Sequence, residues 1–200
     1  MPPKDVHYVL RIVAKLSIDK ASQVLSKMVK NGARIDLEKV YVADISKITE
    51  EVIAAETGDV VGAFVDLVGD IPFKFLFYVD AKDSMVLSDL ILRRKEGTTK
   101  EIDMYTLSAV QELGNILSSA ITNVFASDFQ VTMKPRPPVV VHDYASTVFQ
   151  EYIMDAAADQ NEILMIESTF CVVRMNIKCR MFLLPKSDAQ KTLTDIIGLN

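Results

Sequence analysis

Residues 60–80, VVGAFVDLVGDIPFKFLFYVD, contain the pattern that decides the fold. Two runs rich in valine and phenylalanine, VVGAFVDLV and FKFLFYVD, flank a breaker segment that runs from Gly69 to Pro72. Short apolar runs of β-branched and aromatic residues, joined through glycine and proline, are typical of two antiparallel strands joined by a turn. The stretch therefore predicts a β-hairpin, which needs other elements to cover it because an isolated hairpin cannot bury its own apolar face.

The residues around this hairpin complete one αβ unit. Apolar residues recur at helical spacing over residues 6–30, and the pair Asn31–Gly32 is a typical C-terminal stop for a helix. The other predicted elements of residues 1–100 are a strand at 33–43, a helix at 45–56 and a helix at 82–95. The unit therefore consists of a long helix, a strand, a short helix, the hairpin and a closing helix.

Residues 101–200 repeat that order of elements. The predicted elements are a long helix at 102–126, a strand at 129–133, a helix at 144–157, strands at 162–171 and 174–184, and a helix at 187–198. The segment MKPRPPVVV has three prolines, which restrict it to the edge of a sheet. A repeat of this length indicates related halves packed about a pseudo-twofold axis. The sequence predicts a single α/β domain over residues 1–200, in which repeats 1–100 and 101–200 share one β-sheet with helices packed on it.

Composition and charge exclude several functional classes. Half of the 200 residues are hydrophobic, yet charges break the apolar runs well before the ~20 residues of a membrane-spanning helix. The first residues, MPPKDVHYVL, lack the pattern of a signal peptide, so we expect a cytoplasmic protein without membrane insertion. The net charge is −5, and the densest basic cluster, Arg93–Arg94–Lys95, is expected at a helix end, which argues against nucleic acid as a partner.

Few residues suggest a metal site or a nucleophile. Cys171 and Cys179 lie in a strand-like region and are interpreted as reduced core thiols, since a metal site needs more ligands nearby. The only histidines, His7 and His142, are too far apart in sequence to indicate a metal site or a Ser–His pair. Asp143 is expected to cap the helix that follows it. We therefore expect no metal bound by the chain itself.

The helix predicted at 102–126 has a polar face that folding does not require. Glu112 and Asn115 point the same way on a helical wheel. Ser108, one turn before Glu112, lies on the same polar face, and so do Ser119 and Thr122. The buried stripe opposite them is predicted to consist of Val110, Leu113, Leu117, Ala120, Ile121 and Val124. On spacing alone, an ordinary solvated face explains the polar residues. A reactive surface is the alternative, because an asparagine amide both donates and accepts hydrogen bonds and a carboxylate binds a lysine.

A longer motif favours the reactive surface. Ser108, Glu112, Asn115 and Pro138 follow the order Ser or Asp, three residues, Glu, two residues, Asn, about twenty-two residues, Pro. In this motif, and in the sequence around it at 103–144, the chain resembles the CheC/CheX/FliY family of chemotaxis phosphatases, and CheC in particular. The resemblance covers nearly the whole chain, because a CheC-like fold also implies two repeated halves.

The resemblance implies an enzyme that hydrolyses the aspartyl phosphate of the response regulator CheY. Asn115 would hold the attacking water, and Glu112 would pair with the active-site lysine of the regulator. Ser108 would be a supporting contact, and Pro138 would have a structural role in turning the chain. The regulator would supply Mg²⁺, so the chain needs no cofactor of its own. The implied partners are phosphorylated CheY and CheD.

The first half departs from the family's pattern. With the two long helices aligned, Ile12 stands opposite Glu112 and Lys15 stands opposite Asn115, and no proline lies near position 38. Isoleucine cannot bind a lysine, and Lys15 cannot orient a water molecule as an amide does. We therefore expect one active site per chain, in the second half.

A non-catalytic function is the alternative. The resemblance also extends to adaptors similar to FliM, which implies binding to CheD or to the motility switch in place of catalysis. Such relatives lack Glu and Asn on this helix. The presence of Glu112 and Asn115 therefore favours the phosphatase.

Overall fold

The described helices and strands follow the predicted order except between residues 129 and 144, where two short strands take the place of the single one predicted. The computed structural model describes residues 6–28, 33–47, 50, 58–154, 162–172, 175–186 and 192. Most of the helix predicted at 45–56, and nearly all of the one predicted at 187–198, lie outside the described residues. The elements are α1 (Val6–Met28), β1 (Ala33–Asp44), β2 (Asp59–Gly69), β3 (Phe73–Asp80), α2 (Ala81–Ile91), α3 (Met104–Phe129), β4 (Met133–Pro135), β5 (Val139–Tyr144), α4 (Ala145–Met154), β6 (Glu162–Val172) and β7 (Met175–Pro185).

The seven strands of the described residues form one antiparallel sheet. Its order is β1–β6–β7–β3–β2, with β4 and β5 one after the other along the outer edge of β2. The predicted hairpin β2–β3 therefore lies beside its repeat, β6–β7, through the pairing of β3 with β7. The strand order is symmetric between the halves: β1 corresponds to β5, β6 to β2 and β7 to β3. Replacing each strand by its counterpart gives the same order read from the other edge of the sheet. The predicted α/β fold with two related repeats on a shared sheet is confirmed.

The helices cover both faces of this sheet. Phe73, Phe75 and Phe77 of β3 point into a large apolar core shared with α1, α2 and α3. The alternate residues Leu76 and Tyr78 point into a smaller core beneath α4. Because β3 is buried on both faces, it has no solvent side that requires polar residues. This explains why the run FKFLFYVD is apolar at nearly every position.

The chain between α3 and β4 differs from the prediction. The predicted strand at 129–133 is wrong, because α3 continues to Phe129 and β4 begins only at Met133. The Phe129 ring packs on that of Phe125, with 6.1 Å between the ring centroids, which favours another helical turn. Gln130 then takes a left-handed conformation with φ of 57°, and its N–H bonds to the Phe125 carbonyl, which ends the helix.

The basic trio follows α2 instead of lying within it. The predicted helix at 82–95 is too long, since α2 ends at Ile91. Arg93 takes a left-handed φ of 55°, and its N–H bonds to the Leu90 carbonyl at 3.1 Å, which ends the helix. Arg93–Arg94–Lys95 therefore begin the connector between α2 and α3.

Asp143 does not cap α4, which corrects the prediction. It lies in β5 opposite Val60, and Tyr144 also pairs in the strand before α4 begins at Ala145. The Asp143 carboxylate accepts a hydrogen bond from the adjacent Tyr144 N–H at 2.7 Å, and not from an N–H within the helix. The strand pairing therefore extends further along the chain than the sequence pattern indicates.

The proline-rich segment lies at the edge of the sheet, as predicted. Along β2, Phe64 faces Val139 and Leu67 faces Pro135. Two residues of β2 therefore stand opposite three residues of the edge chain, 136–138, which is the pattern of a β-bulge. Proline fits at a bulge because a residue outside the regular ladder does not need its N–H for strand pairing.

The first half has a bulge at the corresponding place. The register of β1 on β6 shifts between Leu37 and Lys39, which leaves Glu38 as the additional residue. β1 and β5 end one hundred residues apart, so Glu38 corresponds to Pro138. The two halves therefore share the irregularity and differ in the residue that occupies it.

Candidate functional site

Helix α3 presents a narrow polar stripe to solvent. Its surroundings are α1 on one side, α2 on the other and strand β2 beneath. Thr122, which was assigned to the polar face by spacing alone, is buried, because these neighbours cover more of the helix than a sheet alone would. On the remaining side Ser108 and Glu112 are exposed and Asn115 is half-buried. The predicted core residues are all buried: Val110, Leu113, Leu117, Ala120, Ile121 and Val124.

Glu112 and Asn115 lie side by side on this stripe. Residues three apart on a helix have Cβ atoms about 5–6 Å apart and project in similar directions. Within the described part of the chain, neither side chain forms a hydrogen bond or an ion pair. The nearby Ser118 hydroxyl donates to the backbone carbonyl of Asn115 at 3.2 Å and leaves the amide side chain free. A carboxylate and an amide are thus available together for a partner.

Pro138 lies directly behind the stripe, against Gly114. A Cβ atom built on Gly114 would stand 3.1 Å from the Ala63 Cβ and 3.5 Å from the Pro138 Cγ. A glycine therefore allows α3 to approach both β2 and the bulge closely. Gln111 adds a hydrogen bond from its Nε2 to the Pro138 carbonyl at 3.3 Å. These contacts hold the turn of helix that carries Asn115 at a fixed position on the sheet.

Gly114 and Gln111 are the site residues that sequence reasoning missed. Glycine in a helix interior is less favourable than alanine by roughly 1 kcal/mol, so the glycine in ELGNIL was a signal of close packing. Gln111 carried no comparable signal. Gln111 and Pro138 are far apart in sequence, and their hydrogen bond is apparent only in the structure, where the helix packs against the bulge.

We expect Gly114→Val to lower the free energy of unfolding by about 1–3 kcal/mol, because the added methyl groups meet Ala63 and Pro138. Urea unfolding measures the loss. Asn123→Val is the matched control, since it adds the same β-branched side chain at an exposed position of the same helix. Equal losses for the two variants would mean that a valine side chain on this helix is destabilising wherever it stands, and that the contact with the bulge is not the cause.

The first half does not reproduce this pair. At the offset that relates the two halves, Ile12 and Lys15 of α1 take the places of Glu112 and Asn115. Ile12 is half-buried, and Lys15 is exposed. Ala14, which is buried, stands where α3 has Gly114. The corresponding stripe of α1 therefore presents an alkyl group and a cation at these two positions.

The other candidate residues lie apart from the stripe of α3. His142 forms an exposed pair with Asp59, with 3.7 Å between its Nε2 and the Oδ2 of the carboxylate. Cys179 is buried, and its thiol lies 3.7 Å from the Ile177 carbonyl oxygen, to which it donates. The side chains of His7 and Cys171 lie outside the described residues. Within the described ranges there is no cluster of three or more His, Cys, Asp or Glu residues that could hold a metal ion. In the same ranges, no helix is both long and apolar enough to cross a bilayer.

The region of the motif matches a known family. The model of the CheC-like family matches residues 106–142, which include Ser108, Glu112, Asn115 and Pro138. The match therefore begins in the first turns of α3 and ends in β5. It covers the proposed pair, the bulge and the connection between them.

Solved structures share the fold over most of the chain. FliY from Thermotoga maritima has a TM-score of 0.73 at 15% identity, with 100% of this chain and 98% of that chain covered. A chain of the CheX–CheY–BeF3–Mg²⁺ complex from Borrelia burgdorferi has a TM-score of 0.54 at 15% identity, with 86% and 96% covered. A chain of the FliM–SpeE complex from H. pylori has a TM-score of 0.64 at 10% identity, with 96% and 94% covered.

These findings confirm the resemblance to the CheC/CheX/FliY family. The family model supplies the match in sequence, in the second half of the chain. The solved structures, at 10–15% identity, supply the match in fold. The chain therefore has a CheC-like α/β fold, and residues 106–142, which carry the motif, are similar in sequence to the CheC-like family.

Proposed function

We propose that the chain is a phosphatase that hydrolyses the aspartyl phosphate of the response regulator CheY. The observation that carries this proposal is the pair Glu112 and Asn115, which stand together on the exposed stripe of α3 with their polar groups available. The packing of Gly114 on Pro138 supports it, because the pair rests on a rigid base. The likeness in fold to the CheX–CheY–BeF3–Mg²⁺ complex supports CheY as the partner.

The reaction requires a water molecule in line with the bond that breaks. The water oxygen forms a bond to phosphorus, the bond from phosphorus to the aspartyl oxygen breaks, and the water loses a proton. Inorganic phosphate and a free aspartate are the products. The amide of Asn115 suits this step, because its oxygen accepts a hydrogen bond from the water while its nitrogen donates one to the phosphoryl group. Orientation of this kind supplies a large part of the rate acceleration.

Glu112 would anchor the regulator. A carboxylate forms a short, charge-assisted hydrogen bond with a lysine ammonium group. Paired with the active-site lysine of the regulator, Glu112 would hold the phosphoryl group opposite Asn115, less than one turn away. Ser108, one turn earlier on α3, would add a supporting contact. Pro138 would act only through its packing on Gly114.

The regulator would supply the remaining chemistry. Mg²⁺ and the lysine, both from the regulator, would neutralise the charge on the phosphoryl group, so we propose no cofactor of the chain's own. CheD is proposed as a further partner on the family resemblance alone. A single domain over residues 1–200, with the site in its second repeat, agrees with the one shared sheet. A cytoplasmic location is proposed as well, because CheY-phosphate would have to reach the site.

The decay of CheY-phosphate with and without the protein tests the proposal. We expect the protein to accelerate hydrolysis in a concentration-dependent manner in the presence of Mg²⁺. Binding of CheY without any acceleration would contradict the phosphatase and leave an adaptor.

An adaptor is the second candidate function. The likeness in fold favours it, because a chain of the FliM–SpeE complex has a TM-score of 0.64, against 0.54 for a chain of the CheX–CheY complex. In this case the chain would bind CheD or the motility switch without hydrolysing CheY-phosphate. Pull-down of CheD and of the switch proteins, beside the decay assay, separates the two functions.

The first half is expected to contribute little to catalysis. Ile12→Ala combined with Lys15→Ala should leave the rate of CheY-phosphate hydrolysis within about twofold of wild type, because neither residue can perform the chemistry at its position. A severalfold loss of activity with unchanged stability would show that α1 takes part in the docking of the regulator, and a single site per chain would be wrong.

Installing the missing pair is expected to give at most a weak gain. Ile12→Glu combined with Lys15→Asn supplies both functional groups, but Ile18, Asp19 and Lys20 follow where α3 has Ser118, Ser119 and Ala120. Ile18 is buried, so Asp19, which is exposed, and Lys20, which is half-buried, are the larger side chains that would hinder the approach of a docked regulator. Rates that double relative to wild type would mean that a complete second site had formed, and that the neighbouring residues matter less than the pair.

A further inference from the structure

We propose that Arg94 and Tyr105 form a second contact area for the regulator, on the same face of α3 as Glu112, and that it takes an acidic side chain within an apolar patch of the regulator's surface. This inference rests on the proposed function, because the regulator is its occupant. The contact area, defined by the guanidinium of Arg94 and the ring of Tyr105, is called the platform.

Tyr105 lies in line with the proposed site. It precedes Glu112 by seven residues, which is two helical turns and about 10 Å along the axis, on nearly the same side of the helix. Tyr105 is 48% exposed, and its neighbour Met104 is 72% exposed. A folded domain of ~100 residues has a radius of gyration of about 13 Å. A regulator that touches Asn115 and Glu112 is therefore wide enough to cover the Tyr105 ring.

The guanidinium of Arg94 stacks on this ring. Its Cζ atom lies 4.7 Å from the centroid of the Tyr105 ring, which is within the range of a cation–π interaction. Within the described residues the Arg94 side chain forms no hydrogen bond or ion pair, although its charge lies near enough to the Asp103 carboxylate to interact with it electrostatically. Stacking restricts the side chain before a partner arrives, so less conformational entropy is lost on binding. The N–H donors of Arg94 remain available to the partner.

A buried carboxylate holds the connector that carries Arg94. Asp89 is 2% exposed and accepts hydrogen bonds from the Thr98 N–H at 2.9 Å, the Thr99 N–H at 3.1 Å and the Thr99 hydroxyl at 2.6 Å. The backbone carbonyl of Asp89 accepts the Arg94 N–H at 2.7 Å. One residue therefore fixes both ends of residues 94–99. The position of Arg94 is built into the fold.

The first turn of α3 fixes the position of Tyr105, and a carboxylate again makes the hydrogen bonds. The Asp103 carboxylate accepts hydrogen bonds from the N–H groups of Tyr105 at 3.0 Å and Thr106 at 2.9 Å, which forms a capping box. The Thr106 N–H lowers the pKa of the Asp103 carboxyl, because it donates to the ionised form. The cap and the connector together make the platform a preorganised surface.

The charges along the stripe define the chemistry of the partner. The chain has a net charge of −5, yet Arg93–Arg94–Lys95 concentrate positive charge at this end of α3. Glu112 is complementary to a cation, and Arg94 is complementary to a carboxylate, which its fork of N–H donors binds well. Glu112 and Arg94 carry opposite charges, and Arg94 is held beside Tyr105, two helical turns before Glu112. This arrangement fixes the orientation of the docked regulator and disfavours partners whose charges are reversed.

The test measures initial rates of CheY-phosphate hydrolysis over a range of CheY-phosphate concentrations. We expect KM to rise roughly tenfold or more for Arg94→Ala and for Tyr105→Ala, since Arg and Tyr are frequent among dominant contacts. The value of kcat should stay within about twofold of wild type, because neither residue reaches the phosphoryl group. Tyr105→Phe keeps the ring and should retain a KM close to wild type.

Lys95→Ala is the matched control for charge. It removes a cation from the same trio without removing the stack, so its KM is expected to stay near wild type. Arg94→Ala should also weaken the dependence of KM on salt, because a charged contact is screened by ions. Unchanged KM values for both Arg94→Ala and Tyr105→Ala, or an equal rise for Lys95→Ala, overturn the inference.

Direct binding separates this result from a failure of the proposed function. The probe is CheY carrying BeF3⁻, which stands in for the phosphoryl group and is not hydrolysed. If the wild-type protein binds the probe without accelerating hydrolysis, the phosphatase is wrong, and the platform is supported only if Arg94→Ala and Tyr105→Ala bind roughly tenfold more weakly. If the wild-type protein neither binds nor accelerates, both proposals are wrong.

Discussion

Asn115→Ala is expected to reduce the stimulated hydrolysis of CheY-phosphate by roughly 100-fold or more, to near the rate of CheY-phosphate alone. The amide is the group that would hold the attacking water, and alanine offers neither donor nor acceptor. Folding should be unaffected, because the side chain lies on the half-exposed stripe and outside the apolar core. The measurement is kcat from the decay of CheY-phosphate, together with the free energy of unfolding.

Asn123→Ala is the matched control for this variant. Asn123 is exposed on the same helix, two turns beyond the site, and its loss should change neither kcat nor KM. Affinity for CheY carrying BeF3⁻ should persist in Asn115→Ala, since Glu112 still binds the regulator. Activity retained by Asn115→Ala would remove the role of the amide in positioning water.

Glu112→Lys is expected to weaken the binding of the regulator as well as turnover. The substitution places a cation against the lysine of the regulator, and a like-charge contact of this kind destabilises a complex by several kcal/mol. We expect an affinity loss of roughly 30-fold or more, about 2 kcal/mol, and a larger loss in kcat/KM. Titration of the protein with CheY carrying BeF3⁻ measures the affinity separately from catalysis.

The control for Glu112→Lys makes the same change of charge elsewhere. Glu151→Lys lies on α4, on the opposite face of the sheet, and should leave both affinity and turnover unchanged. A similar loss in both variants would mean that the overall charge, and not the contact with the lysine, controls binding. If Glu112→Lys left the affinity unchanged, Glu112 would not be the residue that contacts the lysine of the regulator.

Most of the fold follows from patterns that are local in sequence. The run FKFLFYVD predicts a strand over the residues where β3 lies, because apolar β-branched and aromatic residues with flanking breakers leave few alternatives. The repeat of the hairpin predicts the shared sheet, since each hairpin needs the other to extend it. The boundaries that fail are decided by contacts, such as the packing of Phe129 on Phe125 that prolongs α3.

The candidate site follows from sequence only in part. Glu112, Asn115 and Ser108 are found from helical spacing, because residues on one face of a helix recur at a fixed interval. The contact of Gly114 with Pro138 joins residues that are far apart in the chain, and so does the bond from Gln111 to Pro138. No periodicity encodes such contacts. The stack of Arg94 on Tyr105 depends in addition on the left-handed turn at Arg93, which the sequence does not indicate.

The shared bulge allows the two halves to diverge without disturbing the sheet. At a position of an edge strand whose N–H pairs with the neighbouring strand, a change to proline removes a hydrogen bond. The additional residue of a bulge lies outside the ladder, so a proline there removes no hydrogen bond between strands. The sheet can therefore accommodate glutamate at position 38 and proline at position 138 with the same bulge. The two halves thus differ at a position where strand pairing tolerates either residue, directly behind the helix that carries the polar pair.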